Sequence, residues 1–216
     1  MIYSPARRFL CLQPPKTGGT SVLMAYEARA RADDVLVGDT PKAVRRRRRQ
    51  RALVTSGRLW KHSQLADLDG LVAPEPRPLL MVLVRNPWDR VVSLYHWLRV
   101  QSFAHPAVPL ARSLSFSGFL NHPLVVQMLA TQPYARFAVD AQGDAWPAVW
   151  VRIERFDEDF RPVARHLGFD LELGRENASD RAADYRGYYS AADAALVERV
   201  CSQDVAQFRY QFDKAD

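Results

Sequence analysis

Apolar residues in this chain fall into short unbroken runs separated by longer stretches in which they recur every three or four positions. Phe9 to Leu12 is one such run and predicts a strand over about 8–13. Leu79-Leu80-Met81-Val82-Leu83-Val84 is continuously apolar, the pattern of a parallel strand buried on both faces, and predicts a strand over 79–85. Val149, Val151 and Ile153 alternate as a further strand, and a short strand is predicted near 54–61. Between them, helical spacing predicts helices over about 20–31, 41–52 and 87–100, with a helix-like turn at 63–70 and two short helices over 114–132 broken at Pro123. Asp157 is expected to cap a helix that carries Phe160, Val163, Ala164 and Leu167 on one face and stops at Gly168. Ser190 and Asp193 make a capping box for a last helix. Strands alternating with helices imply a parallel sheet sandwiched by helices. The expected fold is therefore a single three-layer α/β/α domain over 1–216, with a mainly parallel central sheet.

Two strand-to-helix junctions carry candidate chemistry. The first strand runs into Pro15-Lys16-Thr17-Gly18-Gly19-Thr20-Ser21 and then a helix. Two glycines let backbone N–H groups converge on an anion, the helix N-terminus adds partial positive charge, and Lys16 adds a full one. The lysine precedes the glycines, so the spacing departs from the usual nucleotide-kinase loop. The second junction is Arg85-Asn86-Pro87-Trp88-Asp89-Arg90-Val91-Val92-Ser93-Leu94-Tyr95, with Asn86 as N-cap and Pro87 at the first helical position. Val91, Leu94, Tyr95 and Leu98 form a core stripe, while Arg90, Ser93 and Trp97 lie on a different face. Arg85 at the strand end and Ser93 on the helix can grip a second phosphate, the arginine through its planar fork.

These two motifs, in this order, resemble those of the sulfotransferases, most closely the carbohydrate sulfotransferases and their bacterial relatives. The likeness extends to Asn177-Ala178-Ser179 and to Tyr185-Arg186-Gly187-Tyr188-Tyr189-Ser190 ahead of the last helix. It implies a P-loop-like fold and transfer of a sulfuryl group from 3′-phosphoadenosine-5′-phosphosulfate (PAPS) to an acceptor hydroxyl, expected to belong to a glycan. By resemblance, Lys16, Thr17, Gly18, Gly19, Thr20 and Ser21 hold the 5′-phosphosulfate, Arg85 and Ser93 hold the 3′-phosphate, and Arg186 is a candidate to close over it. Lys16 would also neutralise charge on the group in flight. The loop and arginines supply the positive charge, so no metal is called for.

Transfer needs a base for the acceptor hydroxyl. Among five histidines, His62 is the best placed, at the end of the short predicted strand between the two motifs. In several carbohydrate sulfotransferases a histidine at this place in the chain is the proposed base. His96 and His166 are expected to be structural, His105 and His122 in the middle region read either as substrate contacts or as ordinary loop residues, and Asp67, Asp69 and Glu154 are the fallback carboxylates. Trp60, Trp88, Trp97, Tyr185 and Tyr188 are candidates to stack adenine or line a sugar site, with core packing as the alternative.

The 216 residues and 48% hydrophobic content suit one globular domain. The start of the sequence lacks an apolar leader, and no run approaches the length needed to span a bilayer, so a cytoplasmic enzyme without an integral membrane segment is expected. Cys11 and Cys201 are expected as buried free thiols. A net charge of +6 and a pI near 9.6 point to anionic partners. The arginine run Arg45–Arg49 reads either as a solvated surface segment or as a docking patch for an anionic acceptor. No nucleic-acid-binding motif appears. Two other readings stay open: an ATP-dependent kinase using the same loop, and a non-catalytic binder of anionic polymer.

Overall fold

A computed structural model of the chain describes residues 1–174, 182 and 184–214. In chain order the strands are β1 (Ile2–Ser4), β2 (Phe9–Leu12), β3 (Val35–Leu36), β4 (Leu79–Val84) and β5 (Ala148–Arg152). The helices are α1 (Gly19–Glu27), α2 (Pro41–Gln50), α3 (Pro87–Arg99), α4 (Ala107–Ser113), α5 (Phe116–Leu120), α6 (Pro123–Ala130), α7 (Phe156–Asp159), α8 (Arg161–Leu167), α9 (Ala191–Val200) and α10 (Ser202–Phe208). Short 3₁₀ turns occupy Leu65–Leu68, Tyr134–Ala138, Ile153–Arg155 and Tyr185–Tyr188. Asn177-Ala178-Ser179 lies outside the described residues. The chain divides into two compact units, Met1–Val84 with Tyr134–Asn177, and Arg85–Pro133 with Ala178–Asp216.

The first unit is built on a mixed, mostly parallel sheet of order β3-β1-β2-β4-β5. β2 pairs parallel with β4 and β4 with β5, whereas β1 runs antiparallel to both of its neighbours. Successive strand side chains point to opposite faces, which explains the unbroken apolar run of β4. Met81 and Leu83 join Phe9, Cys11 and Val151 against Val22, Leu23 and Tyr26 of α1 and Phe160 and Val163 near α8. Leu80 and Val82 join Leu10 and Leu12 on the other face, against Leu65, Leu68, Phe137 and Trp146. Within this unit, α-helices thus cover one face, and 3₁₀ turns and loop segments cover the other.

The predicted strand near 54–61 does not form. Ser56 N–H and Gly57 N–H donate to the carbonyls of Asp69 and Asp67, so a local turn takes the bonds a sheet would need. A Cβ on Gly57 would stand 2.3 Å from Asp67 Oδ1, which fixes this close approach. The helix expected from Asp157 to Gly168 is two helices. Arg155 precedes its first turn, and Pro162, lacking an N–H, sits in the first turn of α8. Gly168 stops α8 in the left-handed conformation, φ 78°, as expected.

The second unit is helical. Asn86 Oδ1 accepts from Trp88 N at 3.1 Å and Pro87 opens α3, the expected cap. Trp88, Val91, Val92, Tyr95 and Leu98 face a core shared with Phe119 and Val197. Trp88 Nε1 donates to the Ala194 carbonyl at 2.9 Å, and Tyr189 Oη donates to the Trp88 carbonyl at 2.8 Å. The Ser190–Asp193 capping box starts α9, and the last predicted helix breaks at Cys201 into α9 and α10. Both cysteines are buried and free. Among the described residues, no helix is long and apolar enough to cross a membrane.

Candidate functional site

In the first unit the chain leaves β2 at Leu12 and turns through Gln13 to Gly18 before α1 begins. Lys16 adopts φ +68°, which is uncommon for a residue with a side chain, and Gly18 adopts φ +80°. Two left-handed residues flank Thr17 and curl the backbone there. The Thr17 hydroxyl is turned inward and donates to the Pro14 carbonyl at 2.7 Å, so it clasps the turn. At either glycine an added Cβ would crowd a neighbouring side chain. A Cβ on Gly18 would lie 2.7 Å from Ile153 Cδ1, and one on Gly19 would lie 2.7 Å from Gln13 Oε1. No side chain caps α1 and its first turn holds no acidic residue, so its positive end is left to the loop. Thr20 is exposed beside this end and Ser21 half-buried.

His62 is fixed to the same loop. The turn before it is clasped by buried Ser63, whose Oγ accepts from Trp60 N at 2.9 Å and donates to the Arg58 carbonyl at 2.8 Å. His62 Nδ1 lies 2.6 Å from the Gln13 carbonyl. A carbonyl only accepts, so Nδ1 carries the proton and Nε2 is left with its lone pair. Burial pushes the imidazole down from its ordinary value to about 4. The bond to Gln13 opposes this, and the charges of Lys61 and Lys16 add to it. The ring is therefore neutral at physiological pH, with its lone pair on Nε2.

Gln13 is the residue that sequence reasoning missed. Its carbonyl orients His62, and its side chain abuts Gly19 and accepts from the Met1 nitrogen at 2.9 Å. The available signal was a lone polar residue closing an otherwise apolar strand. Ile153, expected to end a strand, lies on the 3₁₀ turn after β5 and packs on Gly18. Glu154 follows it on that turn. Asp67 is committed as a cap, its Oδ2 accepting from Gln64 N at 2.8 Å, and Asp69 is exposed.

The second unit carries the other predicted residues. Arg85 donates to Asp89 Oδ2 through Nε at 2.8 Å and Nη2 at 2.6 Å. Asp89 and Ser93 are one helical turn apart on α3, and Ser93 is buried. Asn86 Nδ2 donates to Tyr185 Oη at 3.2 Å, which brings the Tyr185–Tyr188 turn to the head of α3. Arg186 on that turn donates to Asp184 Oδ1 at 2.8 Å and to the Asp213 carbonyl at 3.1 Å. Arg85 and Arg186 each adjoin a member of the Asn86–Tyr185 bond, and each is already engaged by a carboxylate.

The remaining histidines hold structural positions. His122 Nδ1 accepts from Leu124 N at 3.2 Å at the start of α6, and His105 Nδ1 accepts from Ala107 N at 3.2 Å. His166 Nε2 lies 2.8 Å from the Arg7 carbonyl. His96 packs edge-on against Tyr95 and Tyr188. Trp88 is fully buried and serves the core. Among the described residues, no group of three or more His, Cys, Asp or Glu side chains could hold a metal ion. Comparison with protein-family models, with curated proteins and with solved structures returns no match for this chain.

Proposed function

We propose that this protein is a sulfotransferase that moves the sulfuryl group of PAPS to the hydroxyl of a carbohydrate acceptor. The observation that supports the reading is the curled Lys16–Gly18 loop with a neutral histidine bonded to Gln13 at its start. Nδ1–H of His62 is bonded to the loop's own Gln13, which leaves the lone pair on Nε2, and the Lys16 charge is among those that act on the ring. In the reaction the acceptor oxygen forms a bond to sulfur while the bond from sulfur to the bridging phosphate oxygen breaks. The hydroxyl proton passes to His62 Nε2, and the bisphosphorylated nucleotide leaves with the electron pair. Lys16 and the loop N–H groups balance the charge that develops on the leaving phosphate, the positioning and electrostatic logic of phosphoryl transfer. Arg85, Ser93 and Arg186 take the 3′-phosphate by resemblance, and the P-loop-like architecture belongs to the same proposal. An anion seated at Lys16 offsets one of the charges that depress His62, so substrate binding raises the basicity of Nε2.

The test is incubation with PAPS carrying radiolabelled sulfate and a panel of neutral and acidic oligosaccharides. Label enters a saccharide with the wild type, and His62→Ala lowers that rate by about 10²–10⁴-fold. Transfer at the wild-type rate in His62→Ala removes the histidine from the mechanism. Incorporation of phosphate from ATP in its place overturns the sulfotransferase reading.

A further inference from the structure

The arginine run is sorted by face. α2 is anchored by buried Glu27, whose Oε1 accepts from Thr40 Oγ1 at 2.7 Å and from Ala43 N at 2.8 Å. Arg46 and Arg49 turn toward the body of the unit, each donating to the Asp34 carbonyl at 2.9 Å, and Arg46 also reaches the Arg31 carbonyl at 2.7 Å. These two satisfy backbone groups. Arg45 and Arg48 are exposed. Arg47 instead lines a cleft of about 570 Å³ with Arg51, Arg58, Trp60, Lys61 and Asp39. Small-ligand clefts commonly span about 300–1,000 Å³.

Charge in this cleft is unbalanced. Its lining holds four cations, Arg47, Arg51, Arg58 and Lys61, and one carboxylate, Asp39, a formal balance of 4 − 1 = +3. Asp39 is shared, at 2.7 Å from Lys61 Nζ and 3.5 Å from an Arg47 nitrogen, and the Lys61 bond holds its carboxyl below the usual range. Among the described residues, no carboxylate forms an ion pair with Arg51 or Arg58. The Arg58 guanidinium lies over the Trp60 ring, 4.9 Å from its centroid. Leu53 and Leu59 add apolar wall. Cations grouped along one open cleft favour an anion there. The proposed base neighbours this cleft without lining it: Trp60 and Lys61 precede His62 in the chain, and the Trp60 and His62 rings meet edge-on at 5.0 Å.

We propose that this cleft binds the acceptor as a short acidic oligosaccharide, with carboxylate or sulfate groups on the arginine forks and sugar faces against the apolar wall. The word acceptor rests on the sulfotransferase reading; the binding site does not. A compact cluster with apolar walls fits a few sugar units better than a long phosphate backbone.

The probe is a heparin-derived hexasaccharide titrated calorimetrically into the protein without nucleotide. The comparison ligands are uncharged maltohexaose and an oligothymidylate of equal charge. Arg51→Ala with Arg58→Ala should weaken hexasaccharide binding by about a hundredfold, roughly tenfold for each lost charge-assisted contact. Arg45→Ala with Arg48→Ala removes the same charge outside the cleft and should change affinity by less than about threefold, as expected for screened surface charges. Thermal melts confirm that both double variants are folded. Equal losses in the two double variants, or maltohexaose binding as tightly as the charged sugar, overturn the proposal. Tighter oligothymidylate binding assigns the cleft to nucleic acid instead. The same proteins are titrated with 3′,5′-bisphosphoadenosine. Nucleotide binding without cleft-dependent sugar binding sinks this inference and leaves the transferase reading intact. Cleft-dependent sugar binding without nucleotide binding does the reverse.

Discussion

The two junctions that look alike in sequence differ in how their positive charge is held. At the loop of the first unit the backbone is curled, α1 has no side-chain cap, and Lys16 is kept in a left-handed conformation that costs energy. At the head of α3 in the second unit, Arg85 already bonds Asp89. A backbone cradle is preorganised for charge that appears during reaction, because its dipoles need not move. An ion-paired arginine is suited to steady grip, since its carboxylate fixes the fork while other donors reach a ligand. The first region is accordingly expected to govern turnover and the second nucleotide preference.

Lys16→Ala is the most direct way to break that comparison. It should cost about 10²–10³-fold in turnover, the scale of losing one oxyanion donor, with a much smaller loss of nucleotide affinity. Equal losses in both quantities would make the loop a plain binding element.

The next largest effect is on stability against pH. The folded pKa of His62, about 4, is depressed below its ordinary value of 6.5. The unfolded chain therefore binds more protons between those values. The stabilising contribution of the neutral ring is full above about pH 6.5 and is lost as pH falls toward 4, a swing of about 3 kcal/mol. Denaturant midpoints for the wild type should fall across that window more than those of His62→Asn. Parallel curves would mean the ring is not buried and neutral.

Arg85→Ala should shrink the preference for 3′,5′-bisphosphoadenosine over adenosine 5′-monophosphate by about 1.5–3 kcal/mol. It also removes the Arg85–Asp89 ion pair, so Arg85→Ala with Asp89→Ala is the control, and there the preference should stay low. Preference restored in the double variant would show that Asp89, not the lost fork, governs selectivity.

The smallest effect sharpens the loop geometry. Gly18→Ala places a Cβ at a left-handed φ and against Ile153. It should destabilise by about 1–2 kcal/mol for the backbone alone, and Ile153→Ala should recover only the steric part. Full recovery would mean that the left-handed conformation costs nothing there.

These differences follow what the sequence made legible. β2, β4 and α3 were readable because each is an uninterrupted local pattern with its own cap or flank. β1 and β3 are three and two residues long and exist only through pairing with their neighbours, so no periodicity announces them. The segment near 54–61 has strand-like residues, yet its N–H groups go to Asp67 and Asp69 across a turn. The loop glycines and His62 stood out as residue types. The Gln13 carbonyl that sets the histidine tautomer and the sorting of the arginine run by face depend on contacts between distant positions. Asp89, one turn beyond Arg85, was visible in the motif, but nothing in the spacing said it would pair.

The most direct test of the central claim is a calorimetric comparison of 3′,5′-bisphosphoadenosine with ATP on the wild-type protein. The account predicts that the bisphosphate binds at least tenfold more tightly than ATP, a difference of about 1.4 kcal/mol or more. ATP binding as tightly as the bisphosphate, or more tightly, would contradict it.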